Sequence, residues 1–128
     1  MVLVDTSIWV DFLNKGDPQL AELLEESEVM SHSYIVGELA CGSIKNRKEI
    51  LDLMASLDQV PKVTDEELLV FLEKRKLYGK GLSLIDVHIL ASGVLGNCPI
   101  WTRDKSLRAV AGKLGVVYEA YYLKQESL

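Results

Sequence analysis

The opening run Val2-Leu3-Val4 is short and wholly apolar, and it stops at an acid, Asp5. A strand with no polar residue on either face has to be covered on both sides. That requirement favours a parallel sheet packed between helices over a sheet with one wet face. The rest of the chain repeats the arrangement. Val29-Met30-Ser31 and Ile100-Trp101-Thr102 read as further strands, and Val116-Val117-Tyr118 as the last. Helical spacing and helical punctuation fill the intervals. Thr6 or Ser7 can cap a helix to about Leu13, with Gly16 beyond its end. Asp17-Pro18 is a cap followed by proline at the first helical position, and Leu20, Leu23 and Leu24 mark one face of this second helix. A helix from about Ser33 to Ala40 ends near Gly42. Capping-box pairs stand at Asn46 and Glu49, ahead of a helix to Leu57, and at Thr64 and Glu67, ahead of one to about Leu77. Ser83 caps a helix through Leu95, with Gly96 at its end. Lys105 to Leu114 is the last helix, ended by Gly115. Val60 to Val63 contains Pro61 and is at best an edge strand. Short strands alternating with helices predict an α/β fold with a mainly parallel sheet, whose sites lie beyond the C-terminal ends of the strands.

The 128 residues fit one domain, with a tail from about 119 to 128. The formal net charge is -5. Bulk charge therefore does not mark a nucleic-acid binder, and a polyanionic substrate would need a local basic rim or a bound cation. Cys41 and Cys98 form neither a C-x-x-C pair nor a zinc spacing and read as reduced structural thiols. Asp5 interrupts the first apolar run, and no basic residue precedes it, so no signal peptide is expected. No apolar stretch approaches the ~18 residues of a membrane span. A cytoplasmic protein is the resulting expectation.

Four acids stand in unusual places. Asp5 ends the first strand, and Asp104 lies just beyond Ile100-Trp101-Thr102. Glu38 sits within "SYIVGELAC" and Asp86 within "LSLIDVHILAS", both otherwise apolar. A helix apolar on every side is a buried one. An ionised carboxylate there costs several kcal/mol unless something compensates it. Each acid has a plain explanation of its own. Asp5 and Asp104 can cap the helices that come next, Asp86 can complete a capping box with Ser83, and Glu38 can face solvent along a narrow stripe. Convergence on one pocket explains all four together. Carboxylates ~5 Å apart at an effective dielectric of about 20 repel by on the order of 3 kcal/mol per pair. A hard divalent cation removes that penalty, and oxygen-only ligands suit Mg²⁺ or Mn²⁺.

Taken in order, "VDTSIWVDFL", "ELACG", "LSLIDVHILAS" and "IWTRDKSL" make the chain resemble a PIN domain along essentially its whole length. The resemblance is to the VapC-like toxins of bacterial and archaeal toxin–antitoxin pairs. It implies a three-layer α/β/α sandwich around a mainly parallel sheet of about five short strands. It also implies one or two Mg²⁺ or Mn²⁺ ions held by Asp5, Glu38, Asp86 and Asp104, with Asp5 and Asp86 as the foremost direct ligands. Glu38 and Asp104 would bind directly or through water, one of them orienting or deprotonating the attacking water. Thr6 or Ser7 would support Asp5, and Thr102 looks similar ahead of Asp104. The implied reaction is hydrolysis of an RNA phosphodiester. The implied partners are RNA, an antitoxin that covers apolar helix surface and blocks the acid pocket, and a second copy of the chain.

Other residues carry less. Arg103, Lys105 and Arg108 flank Asp104 and are candidates for holding RNA phosphates. The groups around Lys45, Arg47 and Lys48, and Lys74, Arg75, Lys76 and Lys80, read as solvated helix faces. His88 is two residues from Asp86 and shares no helix face with it, so a packing or hydrogen-bonding role is expected. His32 lies in a loop ahead of Ser33, and nothing places it near the acids. Two other readings compete. A phosphoacceptor receiver domain would want an acid pair after the first strand, and Asp5 has no acidic neighbour. A non-catalytic PIN-like scaffold binding RNA or protein would not need the full acid set.

Overall fold

Four strands, β1 (Val2–Val4), β2 (Val29–Ser31), β3 (Asp58–Gln59) and β4 (Ile100–Trp101), pair in the order β3-β2-β1-β4 in the computed structural model, which describes residues 1–119. All three pairings are parallel. Leu3 stands opposite Met30 on one side and Ile100 on the other, so β1 is central. Val2, Leu3 and Val4 are all buried although they alternate between faces, which is the two-sided cover their composition demanded. The helices are α1 (Thr6–Lys15), α2 (Pro18–Glu25), α3 (Ser33–Cys41), α4 (Arg47–Ser56), α5 (Asp65–Lys74), α6 (Leu84–Leu95) and α7 (Lys105–Lys113). One core gathers Leu3, Ile8, Trp9, Leu20, Ile35 and Leu90, each with no exposed surface. Burial of such a side chain contributes about 1.5–3 kcal/mol. No helix among the described residues is long and apolar enough to cross a membrane.

Several local expectations shift. The sheet has four strands, and the expected fifth shrinks to a single parallel bridge between Ile100 and Val117. The edge strand is Asp58–Gln59, two residues before the expected Val60 to Val63. Val60 gives its N–H to Ser31, and Pro61, which has no N–H, ends the ladder. Asn46 makes no side-chain cap to α4, because its backbone is left-handed at φ 53°. Thr64 with Glu67 and Ser83 with Asp86 do form complete capping boxes. Helix α5 stops at Lys74, short of Leu77. Lys76 turns left-handed and Leu77 returns its N–H to the Leu72 carbonyl, so the buried Leu77 folds back instead of continuing the helix. Cys98 is buried and free, whereas Cys41 is exposed. The tail expected from about residue 119 falls, beyond that residue, outside the described residues.

Helix α6 crosses β4 at Gly93. A Cβ at that position would stand 2.8 Å from Ile100 Cδ1 and 3.1 Å from the Cys98 carbonyl oxygen. The close approach therefore requires glycine. It fixes the distance between the helix that carries Asp86 and the strand that leads to Asp104.

Candidate active site

Asp5 occupies the N-cap position of α1, yet its side chain makes no cap. The carboxylate instead takes two hydroxyls on one oxygen. Thr102 Oγ1 donates to Oδ2 at 2.7 Å and Ser7 Oγ at 3.0 Å. Both donors are themselves held, since Ser7 Oγ accepts the Arg103 N–H and Thr102 Oγ1 accepts the Asp104 N–H. The ends of β1 and β4 are thus tied together by side chains, and Asp5 is buried at the junction. The expectation that Thr6 or Ser7 supports Asp5 divides between two acids. Ser7 serves Asp5, while Thr6 Oγ1 donates to Glu38 Oε1 at 2.8 Å.

Asp86 and Asp104 do cap their helices. Asp86 Oδ2 accepts the Ser83 N–H at 3.0 Å, and Asp104 Oδ1 accepts the Leu107 N–H at 2.9 Å. Capping and site membership are therefore not alternatives, because each cap uses one oxygen. All four acids share this economy. Asp5 uses Oδ2, Glu38 Oε1, Asp86 Oδ2 and Asp104 Oδ1, and the second oxygen of each accepts no hydrogen bond among the described residues. Burial pushes the Asp86 carboxyl above its ordinary value. Hydrogen bonds from Ser83 oppose the rise, and the negative charges of Asp104 and Asp5 add to it. Asp86 therefore feels the charges of both Asp5 and Asp104.

They do not form a closed cage. Among the described residues no three His, Cys, Asp or Glu side chains stand close enough to hold one ion together. Glu38 and Asp104 are exposed and Asp86 half-buried, so the expectation of two fully buried acid-bearing helices is corrected for α3. The donor set still fits a small hard cation. Mg²⁺ keeps several waters and takes one or two carboxylates directly, which suits carboxylates that each keep one oxygen free without closing on a single point.

Of the basic residues flanking Asp104, Arg103 is already engaged. Its Nε lies 2.7 Å from Asp11 Oδ2 and its terminal nitrogen 3.2 Å from Asp17 Oδ2. Lys105 and Arg108 are exposed, face a shallow hollow with Ala109 and Gly112, and make no ion pair among the described residues. Arg47, read as a solvated residue, closes the end of α3 by donating to the Ala40 and Gly42 carbonyls. His32 lies, as expected, in the short connection ahead of Ser33, and there its Nδ1 caps α3. A cleft of about 520 Å³ opens beside Glu38 and Thr6, with Val10, Leu13, Ile44 and Ile50 as its apolar walls.

Known proteins resemble this chain in sequence and in fold. The PIN domain family model matches residues 2–113. The ribonuclease VapC32 of Mycobacterium tuberculosis is 44% identical over 117 residues, which is 91% of this chain and 94% of that protein. Among solved structures, a toxin–antitoxin complex from Klebsiella pneumoniae superposes with a TM-score of 0.67 at 22% identity, covering 94% of this chain and 98% of that one. VapBC2 from Rickettsia felis, bound to a DNA fragment from its promoter, gives 0.61 at 19% identity, covering 91% and 96%. The receiver-domain reading falls with these matches. By sequence along nearly all its length, and by the order of its sheet, the chain belongs to the PIN domain family and, within it, to the VapC-like members.

Proposed function

We infer that the protein is a metal-dependent endoribonuclease of the toxin type, held in check by an antitoxin. The observation that carries this reading is that Asp5 and Asp104 follow the ends of β1 and β4, Asp86 feels the charge of both, Glu38 is held by Thr6 beside Asp5, and each of the four is fixed through one oxygen and left free at the other. Mg²⁺ or Mn²⁺ bound there would supply an activated water and neutralise charge on the phosphoryl group. Asp5, clamped by Ser7 and Thr102, presents Oδ1 in one orientation without further ordering. Asp86 is held by its cap, with Oδ1 free. Glu38 and Asp104, both exposed, would bind the ion directly or through water, and one of them would orient the attacking water or take its proton. Purified protein free of copurifying antitoxin should cut RNA into discrete products with Mg²⁺ or Mn²⁺, and not with EDTA. Folded protein that cuts nothing with either metal would instead be a non-catalytic scaffold.

Lys105 and Arg108 make no ion pair among the described residues and would hold RNA phosphates, whereas Arg103 would not, because Asp11 and Asp17 already neutralise it. Replacing Lys105 and Arg108 with alanine should weaken RNA binding. It should also reduce the slope of log affinity against log salt by about 1.4, the value for two lost single-strand phosphate contacts. Arg103→Ala should leave that slope nearly unchanged. Titrations at several salt concentrations decide between them.

The apolar cleft beside Glu38 suits an antitoxin helix, whose end would then lie over the acids. A second copy of the chain has a different face available. Helix α5 begins Asp65-Glu66-Glu67, ends near Lys74, Arg75 and Lys76, and exposes Leu69 and Val70 between them. Two copies packed antiparallel would set acids on bases around an apolar centre. Val70→Glu should shift the chain to monomer in light scattering and make its melting temperature independent of protein concentration.

A further inference from the structure

Two buried histidines link the acid-bearing helices without any part in the chemistry above. His32 comes directly after β2 and caps α3, with its Nδ1 accepting the Tyr34 N–H at 2.9 Å. His88 lies on α6, two residues beyond Asp86. Their side chains are sealed, at 0% and 1% exposure. The ring centroids are 6.3 Å apart. The Tyr34 ring packs on both, 5.2 Å from His32 and 4.8 Å from His88, and carries Lys62 Nζ 4.4 Å from its centroid. Two ring nitrogens in this cluster, His32 Nε2 and His88 Nδ1, are buried with no hydrogen-bond partner. Each such orphan costs about 1–3 kcal/mol.

The proton inventory makes the two nitrogens complementary. Because His32 Nδ1 accepts a hydrogen bond, it carries no proton. The neutral ring then bears its proton on Nε2, which is a donor. His88 with its proton on Nε2 offers Nδ1 as an acceptor. The two nitrogens do not bond each other directly, and a buried water needs at least two polar partners, which they can supply. We propose that one buried water joins His32 Nε2–H to His88 Nδ1, and that this bridge positions α3, which bears Glu38, against α6, which bears Asp86. The positioning role rests on the carboxylate site proposed above, whereas the bridge itself does not.

Long-range proton–nitrogen spectra of the ¹⁵N-labelled full chain, metal-free and at neutral pH, test the bridge. His32 should show a bare Nδ1 and a slowly exchanging Hε2 that cross-relaxes with a long-lived water, and His88 a bare Nδ1. A proton on Nδ1 of either ring, or an Hε2 without a water contact, would overturn it. Mn²⁺ titration tests the positioning. His88→Leu lacks the acceptor, while His88→Asn keeps one near the place of Nδ1. The leucine variant should bind Mn²⁺ about tenfold more weakly and the asparagine variant nearly as the unaltered chain. Equal loss in both, or loss in neither, would remove the positioning role. Should the unaltered chain bind no Mn²⁺, the metal reading falls and the positioning role with it. The spectra still decide the bridge.

Discussion

Asp5→Asn is expected to slow RNA cleavage about a hundred- to a thousandfold, equivalent to about 3–4 kcal/mol of lost transition-state stabilisation. Asparagine preserves the shape of the side chain. Its amide oxygen can still accept from Thr102 and Ser7, which now donate to Asp5 Oδ2 at 2.7 and 3.0 Å. The losses are the negative charge and the spare Oδ1 as a strong oxygen ligand. Because the acids repel one another before any cation binds, the metal-free variant should melt no lower than the unaltered chain, and a small rise is expected. Initial rates at saturating Mn²⁺, beside thermal unfolding in EDTA, separate the two effects. An asparagine variant that cleaves RNA at the full rate would place the reaction elsewhere.

Most of the elements that the residues announce locally appear where expected, the Asn46 cap being an exception. Fully apolar β1, the Asp17-Pro18 start of α2 and the capping boxes at Thr64 and Ser83 depend on neighbours within a few positions. The same locality made Asp5, Asp86 and Asp104 visible as acids at strand ends and helix starts. The features that escaped depend on distant partners. Thr6 and Ser7 are adjacent at the start of a helix and so point in different directions. Only the place of α3 decides that Thr6 meets Glu38. Arg103 looked free beside Asp104 because its partners, Asp11 and Asp17, lie more than 80 positions earlier. The capping role of His32 escaped because histidine is an uncommon cap, and its ring nitrogen does here the work of an aspartate or asparagine oxygen. The four-stranded sheet obeys the same rule. Val117 meets Ile100 through a single bridge, a pairing that no local pattern in Val116-Val117-Tyr118 reveals.

Acidification should destabilise the metal-free protein through His32. Burial is the main cause that lowers its pKa to about 4, and the charges of His88 and Lys62 act in the same direction. His88 is lowered too, chiefly by burial, with Asp65 opposing and Lys62 assisting. An unfolded chain holds His32 near its ordinary value of about 6.5. The folded state therefore binds fewer protons than the unfolded state between these two values. Stability is fully present above about pH 6.5, falls as the pH drops towards 4, and is level again below, for a loss of about 3 kcal/mol from this ring. The melting temperature should fall by on the order of 10 °C over that range. His32→Asn isolates the effect from carboxylates that titrate nearby. Asparagine is a good helix cap and can accept the Tyr34 N–H as Nδ1 does, but it does not titrate. Urea unfolding of both proteins at pH 7 and pH 4.5 gives the comparison. The unaltered chain should lose more stability than the variant by an amount approaching that figure. If both lose the same amount, the ring carries its proton equally in the folded and unfolded states, and the acid sensitivity belongs to the carboxylates.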